Sequence, residues 1–149
     1  MREHPDHHDA ELLLRLYELR REERLRRARD WFMREFQADP PEELLKRYPL
    51  GSDENTSFRM TVSYWEMAAS LLNHGLINEG LFFENTMELL VVWIKLKPVA
   101  VFSREQSKNP HAFKNLEIAA EKYEKWMEKR APGALATTRE RMQALWTKK

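Results

Sequence analysis

The chain contains no cysteine, only four glycines, no excess of charge of either sign and no long apolar run. Without cysteine there is no disulfide framework, no thiolate zinc site, no iron–sulfur cluster and no cysteine nucleophile. Gly75 and Gly80 have the spacing of a phosphate-binding loop, but Leu81 and Phe82 stand where Lys and Ser/Thr are needed, and no strand precedes them. The longest strongly apolar run, residues 89–94, is far short of the roughly 20 residues of a membrane-spanning helix. Residues 1–9 are acidic and His-rich and lack the apolar core of a signal peptide. With 25 Lys+Arg against 24 Asp+Glu, the formal net charge is only +1, unlike most nucleic-acid-binding domains. These absences point to a soluble cytoplasmic protein with no transmembrane segment.

Aromatic and helix-forming residues fill the space that is left. Five Trp, seven Phe and four Tyr in 149 residues exclude a disordered chain and suit one domain. Asp9 can cap a long helix over residues 9–38, stopped by Asp39-Pro40-Pro41. Its expected inner stripe is Leu14, Tyr17, Arg21, Leu25, Ala28, Phe32 and Phe36. A short helix over 42–48 and a loop over 49–56 follow. Phe58, Val62, Trp65, Ala69, Leu72 and Leu76 then recur at spacings of 4, 3, 4, 3 and 4, one face of a helix that Gly75 ends.

Asn78 caps a fourth helix, over 78–96, that is apolar nearly all round and so belongs in the middle of a bundle. Pro98 ends or kinks it, with another helical turn or two over 99–106. Asn109-Pro110 starts a helix over 110–130, and a Thr137/Glu140 capping box starts a last short one. The fold class is therefore all-α: a single-domain bundle of five to six helices with a long N-terminal helix. Residues 1–8 are a flexible N-terminus, 9–130 the bundle, and 131–149 a linker with a short helix.

No constellation for catalysis emerges. None of the five histidines lies three residues after a Glu, as a carboxylate-bridged metal centre requires. Glu84/Glu88 and Glu117/Glu121 read as solvated faces. His4, His7 and His8 lie in a frayed terminus without the fixed surroundings of a metal site. No metal, cofactor or catalytic residue is assigned. An enzyme is the third reading, needing a polar pocket with groups perturbed by burial.

The strongest electrostatic feature is the run of Arg20, Arg21, Arg24, Arg26, Arg27, Arg29 and Arg34, interleaved with only three acids. Such a helix can contact phosphates. Its arginines surround the helix, however, which suits a solvated or partner-binding surface better. At about 45 Å a helix over 9–38 exceeds what a bundle of this size needs, so it is expected to project or pair with a second copy. The leading function is a protein-interaction module, binding a protein partner or forming a homodimer through Arg20, Arg21, Arg24, Arg27 and Trp31. Trp146, near the C-terminus, is a further docking anchor. Nucleic acid is the runner-up partner, reached through residues 20–34 with Lys148 and Lys149.

One resemblance goes beyond patterning. Tyr64-Trp65-Glu66-Met67-Ala68, Gly75-Leu76-Ile77, Glu79, Trp93, Arg104, Phe113 and Trp126 make residues 58–127 similar to a family of uncharacterised bacterial helical proteins of unknown function. Members often carry a membrane helix at the N-terminus, and none is legible here. The resemblance implies an all-α fold and draws attention to Glu66 and Arg104. If both line the bundle, a structural ion pair between them is expected, although periodicity puts Glu66 on the polar face.

Overall fold

The computed structural model describes residues 4–147. Eight α-helices and one 3₁₀ turn are found there, and no strand among the described residues. They are α1 (His7–Arg21), α2 (Glu23–Glu35), the 3₁₀ turn Pro41–Glu43, α3 (Leu44–Arg47), α4 (Asp53–Asn73), α5 (Glu79–Glu84), α6 (Glu88–Ser107), α7 (Lys114–Arg130) and α8 (Ala134–Thr147). None of them is long and apolar enough to cross a membrane.

The expected helix over 9–38 is not continuous. Glu22 adopts φ −55°, ψ 135°, and its carboxylate accepts from the Arg24 and Leu25 amides, so it ends α1 and caps α2. Those two bonds hold the Glu22 carboxyl below its usual pKa. The break changes the helical register. In α2 the expected stripe is kept, with Leu25, Ala28 and Phe32 buried and Phe36 just beyond its end. In α1 the buried residues are Asp9 and Leu16, while Leu14, Tyr17 and Arg21 face outward. A stripe extrapolated through a break assigns the wrong face.

The N-terminus is ordered further than expected: Asp6, not Asp9, caps α1, and Asp9 completes a capping box. Residues 1–3 of the expected flexible segment, and Lys148 and Lys149, lie outside the described residues. Of the other boundaries, α4 starts inside the expected loop, because the Ser52 hydroxyl accepts from the Asn55 amide. The fourth helix is two, interrupted at residues 85–87, and α6 continues through Pro98 to Ser107. That proline lacks an amide to donate and so leaves out one rung of the helix ladder. Residues 109–113 form a turn, so α7 starts at Lys114 and not at Pro110; α8 starts at Ala134, ahead of Thr137.

α4 is the axis of the bundle, with α2 on one side and α7 on another; α6 packs on α7 and α4. Ala68, Ala69, Ala119 and Ala120 are fully buried, and their small side chains let α4 and α7 approach closely. As expected for a helix apolar all round, α6 buries Leu89, Leu90, Val92, Trp93, Leu96, Val99 and Ala100. Phe32, Phe36, Phe58, Tyr48 and Trp31 form an aromatic cluster where α2 ends, with the Phe32 and Phe36 rings 4.5 Å apart.

Candidate functional site

The N-terminal arm, α1 and α2, does not project: it is tied to the bundle by buried polar groups. Arg29 lies four residues after Leu25 and three before Phe32, so α2 carries a cation on its inward stripe. Its Nε and Nη2 donate to the two oxygens of Glu88 on α6, at 2.6 and 2.9 Å, and its Nη1 donates to the Arg20 carbonyl at the end of α1. Glu88 also accepts from Trp65 Nε1 on α4 at 2.8 Å. Burial works against the Arg29 charge, but the hydrogen bond and the charge of Glu88 outweigh it and raise its pKa.

Two further ties secure α1 itself. Tyr64 of α4 donates its hydroxyl to the Leu16 carbonyl at 2.7 Å, and desolvation pushes that phenol up to about 12. Asp9, fully buried, accepts from the Asn78 amide at 2.8 Å, linking the start of α1 to the cap of α5. Asp9 precedes Leu12, Leu13 and Leu16 at helical spacing, and Arg29 interrupts an apolar stripe. A charge on an inward face is the sequence signal that marks both residues. Glu88, read as part of a solvated pair, showed no comparable signal.

The outer flank of α1 is what this docking leaves open. Leu14 and Tyr17 are 60% and 46% exposed, and with Leu13, Arg20 and Asn85 they line a shallow groove of about 240 Å³. Arg20 lies over the rings of Tyr17 and Trp65, at 5.5 and 5.4 Å, and Arg21 donates to the Tyr17 hydroxyl. Arg24 and Arg26 are exposed beyond the bend, whereas Arg27 pairs with Glu23 and Arg34 with Asp30. The basic cluster is therefore divided: Arg29 is internal, Arg27 and Arg34 have acids one turn away, and Arg21, Arg24 and Arg26 face outward.

The two candidate tryptophans are docked. Trp31 packs edge-on against Tyr48 with ring centres 5.1 Å apart. Trp146 lies against Lys95, whose ammonium is 5.2 Å from its ring centre, in a small pocket shared with Phe36 and Pro98.

Glu66 and Arg104 do not form the expected ion pair, because each is engaged by a different part of α7. Glu66 accepts from the Leu116 amide at 2.8 Å and from Asn115 Nδ2 at 3.1 Å, so it caps α7 from a neighbouring helix. The helix dipole makes an N-terminus a favourable place for a carboxylate. Arg104 pairs with Glu117 at 3.3 Å, lies over Trp93 and donates Nε to the Ala112 carbonyl at 2.8 Å. Glu117, read as solvated, is mostly buried; the Lys114 hydrogen bond and nearby Arg104 hold its pKa below the usual range.

These two contacts fix one wall of a groove of about 680 Å³ between α4 and the turn at residues 109–113. Phe58, Met60, Val62 and Phe113 supply its apolar surface, and Arg59, Glu66 and His111 its charged or titratable groups. No cluster of three or more His, Asp or Glu placed to hold a metal occurs among the described residues. His74, at the end of α4, has its Nδ1 against the Ser70 carbonyl.

No curated protein and no solved structure matches the chain. A family match covers residues 5–126, from the start of the N-terminal arm through most of α7. By that match the chain belongs to the DUF4760 family, a domain of unknown function.

Proposed function

We propose that this chain is a helical protein-interaction module whose partner is a second copy of itself, docked along the outer flank of α1. The observation that carries the reading is the exposure of Leu14 and Tyr17 beside one groove, on a helix whose opposite face is buried. Neighbouring exposed apolar side chains of this kind are the usual core of a docking patch. Charge supplies the choice of partner. The exposed Glu11 lies in the first half of α1, Arg20 and Arg21 at its end and Arg24 just beyond. Two copies laid antiparallel bring opposite charges together and oppose their helix dipoles favourably. A two-fold axis then uses the same patch on both copies and closes without further growth.

Sedimentation velocity over a concentration series tests this. A monomer–dimer equilibrium is expected, with Leu14→Glu and Tyr17→Glu each weakening it roughly tenfold or more, as for other buried anchors. Circular dichroism of both variants is expected to match the parent, since both positions face solvent. A monomer at every concentration, or a dimer indifferent to both substitutions, refutes the reading.

Nucleic acid is the less supported alternative. It draws on the outward Arg21, Arg24 and Arg26, but the acids engaging Arg27, Arg29 and Arg34 reduce the charge left for phosphates.

A further inference from the structure

The geometry points to a second, independent site: the groove between α4 and the turn at residues 109–113 binds an amphipathic monocarboxylate. Its volume of about 680 Å³ lies within the range of small-molecule sites, roughly 300–1,000 Å³. The apolar body of the ligand lies along the half-buried Met60 and Phe113, over a floor formed by the buried Phe58 and Val62. Its head meets Arg59, an exposed guanidinium with no acidic partner among the described residues, and the exposed ring of His111.

The one carboxylate in the lining does not reverse this preference. Both oxygens of Glu66 are committed to the N-terminal turn of α7, whose dipole offsets the charge. Arg59 is thus a cation of the groove without a counter-ion among the described residues, and a single negative charge on the ligand completes it. An apolar chain alone leaves Arg59 unused, and a cationic head is repelled by it.

The wall opposite α4 is held in place before any ligand arrives. Phe113 has φ 59°, a left-handed conformation unfavourable for a residue with a side chain. Arg104 clamps the preceding residue through its hydrogen bond to the Ala112 carbonyl and is itself fixed by Glu117 and Trp93. A preformed wall lowers the ordering cost of binding.

The experiment is a titration of the full chain, labelled for amide NMR, with decanoate below its micelle concentration. Decan-1-ol and decylammonium serve as matched controls. Saturable shifts are expected at residues 56–66 and 111–113 with decanoate, and much weaker ones with the two controls. Arg59→Gln, an exposed substitution, is expected to weaken decanoate binding roughly tenfold, the scale of a lost charge-assisted hydrogen bond. Ser63→Trp, also exposed, is expected to block the groove while leaving the amide spectrum outside it unchanged. Shifts that do not saturate, equal binding of all three amphiphiles, or an Arg59→Gln variant that binds as the parent does would each overturn the proposal. The α1 dimer does not enter into any of these readouts.

Discussion

Replacing Glu88 tests whether the N-terminal arm is held down by one buried polar knot. Glu88→Ala removes the acceptor of three hydrogen bonds, two from Arg29 and one from Trp65. Arg29 and Glu88 side chains are only 21% and 20% exposed, so water reaches the orphaned guanidinium poorly. Deleting one partner of a fully buried pair costs about 3–5 kcal/mol, and the residual exposure here reduces that to about 2–4 kcal/mol. At this chain length about 2–4 °C of melting temperature corresponds to each kcal/mol, so a fall of roughly 5–15 °C is expected. Glu88→Gln keeps the shape and one carbonyl acceptor and is expected to cost about half as much.

The specific prediction lies in the pairing. Arg29→Met alone leaves the carboxylate only the Trp65 N–H, but Arg29→Met with Glu88→Leu removes both charges and leaves only that N–H without its acceptor, and apolar replacements of an ion pair are often neutral. The double variant is expected to be more stable than the sum of the single effects by about 1–3 kcal/mol, measured by urea unfolding. Hydrogen exchange of Glu88→Ala adds location: amides of α1 should lose protection before those of α4 and α6, because Arg29 also holds the Arg20 carbonyl. Additive single effects each under about 0.5 kcal/mol, within the range of ordinary surface changes, would refute the knot.

Two other substitutions probe different parts of the same framework. Tyr64→Phe should cost about 1 kcal/mol near neutral pH through the lost bond to the Leu16 carbonyl. Because the folded phenol is raised from 10 to about 12, the parent loses stability as the pH rises from 10 to about 12, and the variant loses less, keeping the contribution of the raised Tyr123 phenol but not that of Tyr64. Alkaline unfolding curves that remain parallel over that window would contradict the burial argument. Lys108→Gly, at the exposed left-handed cap of α6 (φ 55°), should raise stability by about 0.5–1 kcal/mol in thermal unfolding, since glycine adopts that conformation without a Cβ clash.

What was legible in the sequence depended on the range of the interaction. The face of α4 was read almost completely, because Phe58, Val62, Trp65, Ala69 and Leu72 alternate at a helical period and all five are buried. Its Leu76 lies past the end of the helix and is 56% exposed. The all-round apolar character of α6 likewise placed it inside. The break at Glu22 was not legible, since a glutamate that caps through its own side chain has neither the proline nor the glycine that usually marks an end. From that one omission followed the projecting helix and the misplaced stripe through Leu14 and Tyr17. Glu66 and Arg104 do not meet each other: Glu66 is held by an amide and an amide side chain of α7, and Arg104 by the Ala112 carbonyl and Glu117. Periodicity identifies which face a residue occupies and says nothing of a capping partner 50 positions away.

The break at Glu22 also decides where interaction surfaces can lie. In a straight helix over 9–38, Leu14 and Tyr17 share a stripe with Phe32 and would be consumed by the same core. Folding the arm back instead uses Asp9 and Leu16 for docking, and these are buried at the expense of no outward apolar residue. Leu14 and Tyr17 are then exposed as a consequence of a docked arm, not of a loose one. That distinction gives the self-association reading a second requirement. Glu88→Ala should disturb the dimer only as far as it loosens α1, whereas Leu14→Glu should weaken it roughly tenfold or more in an arm whose amides remain protected. If both variants weaken dimerisation and protection in the same proportion, the exposed flank is not the contact, and stability of the arm alone accounts for association.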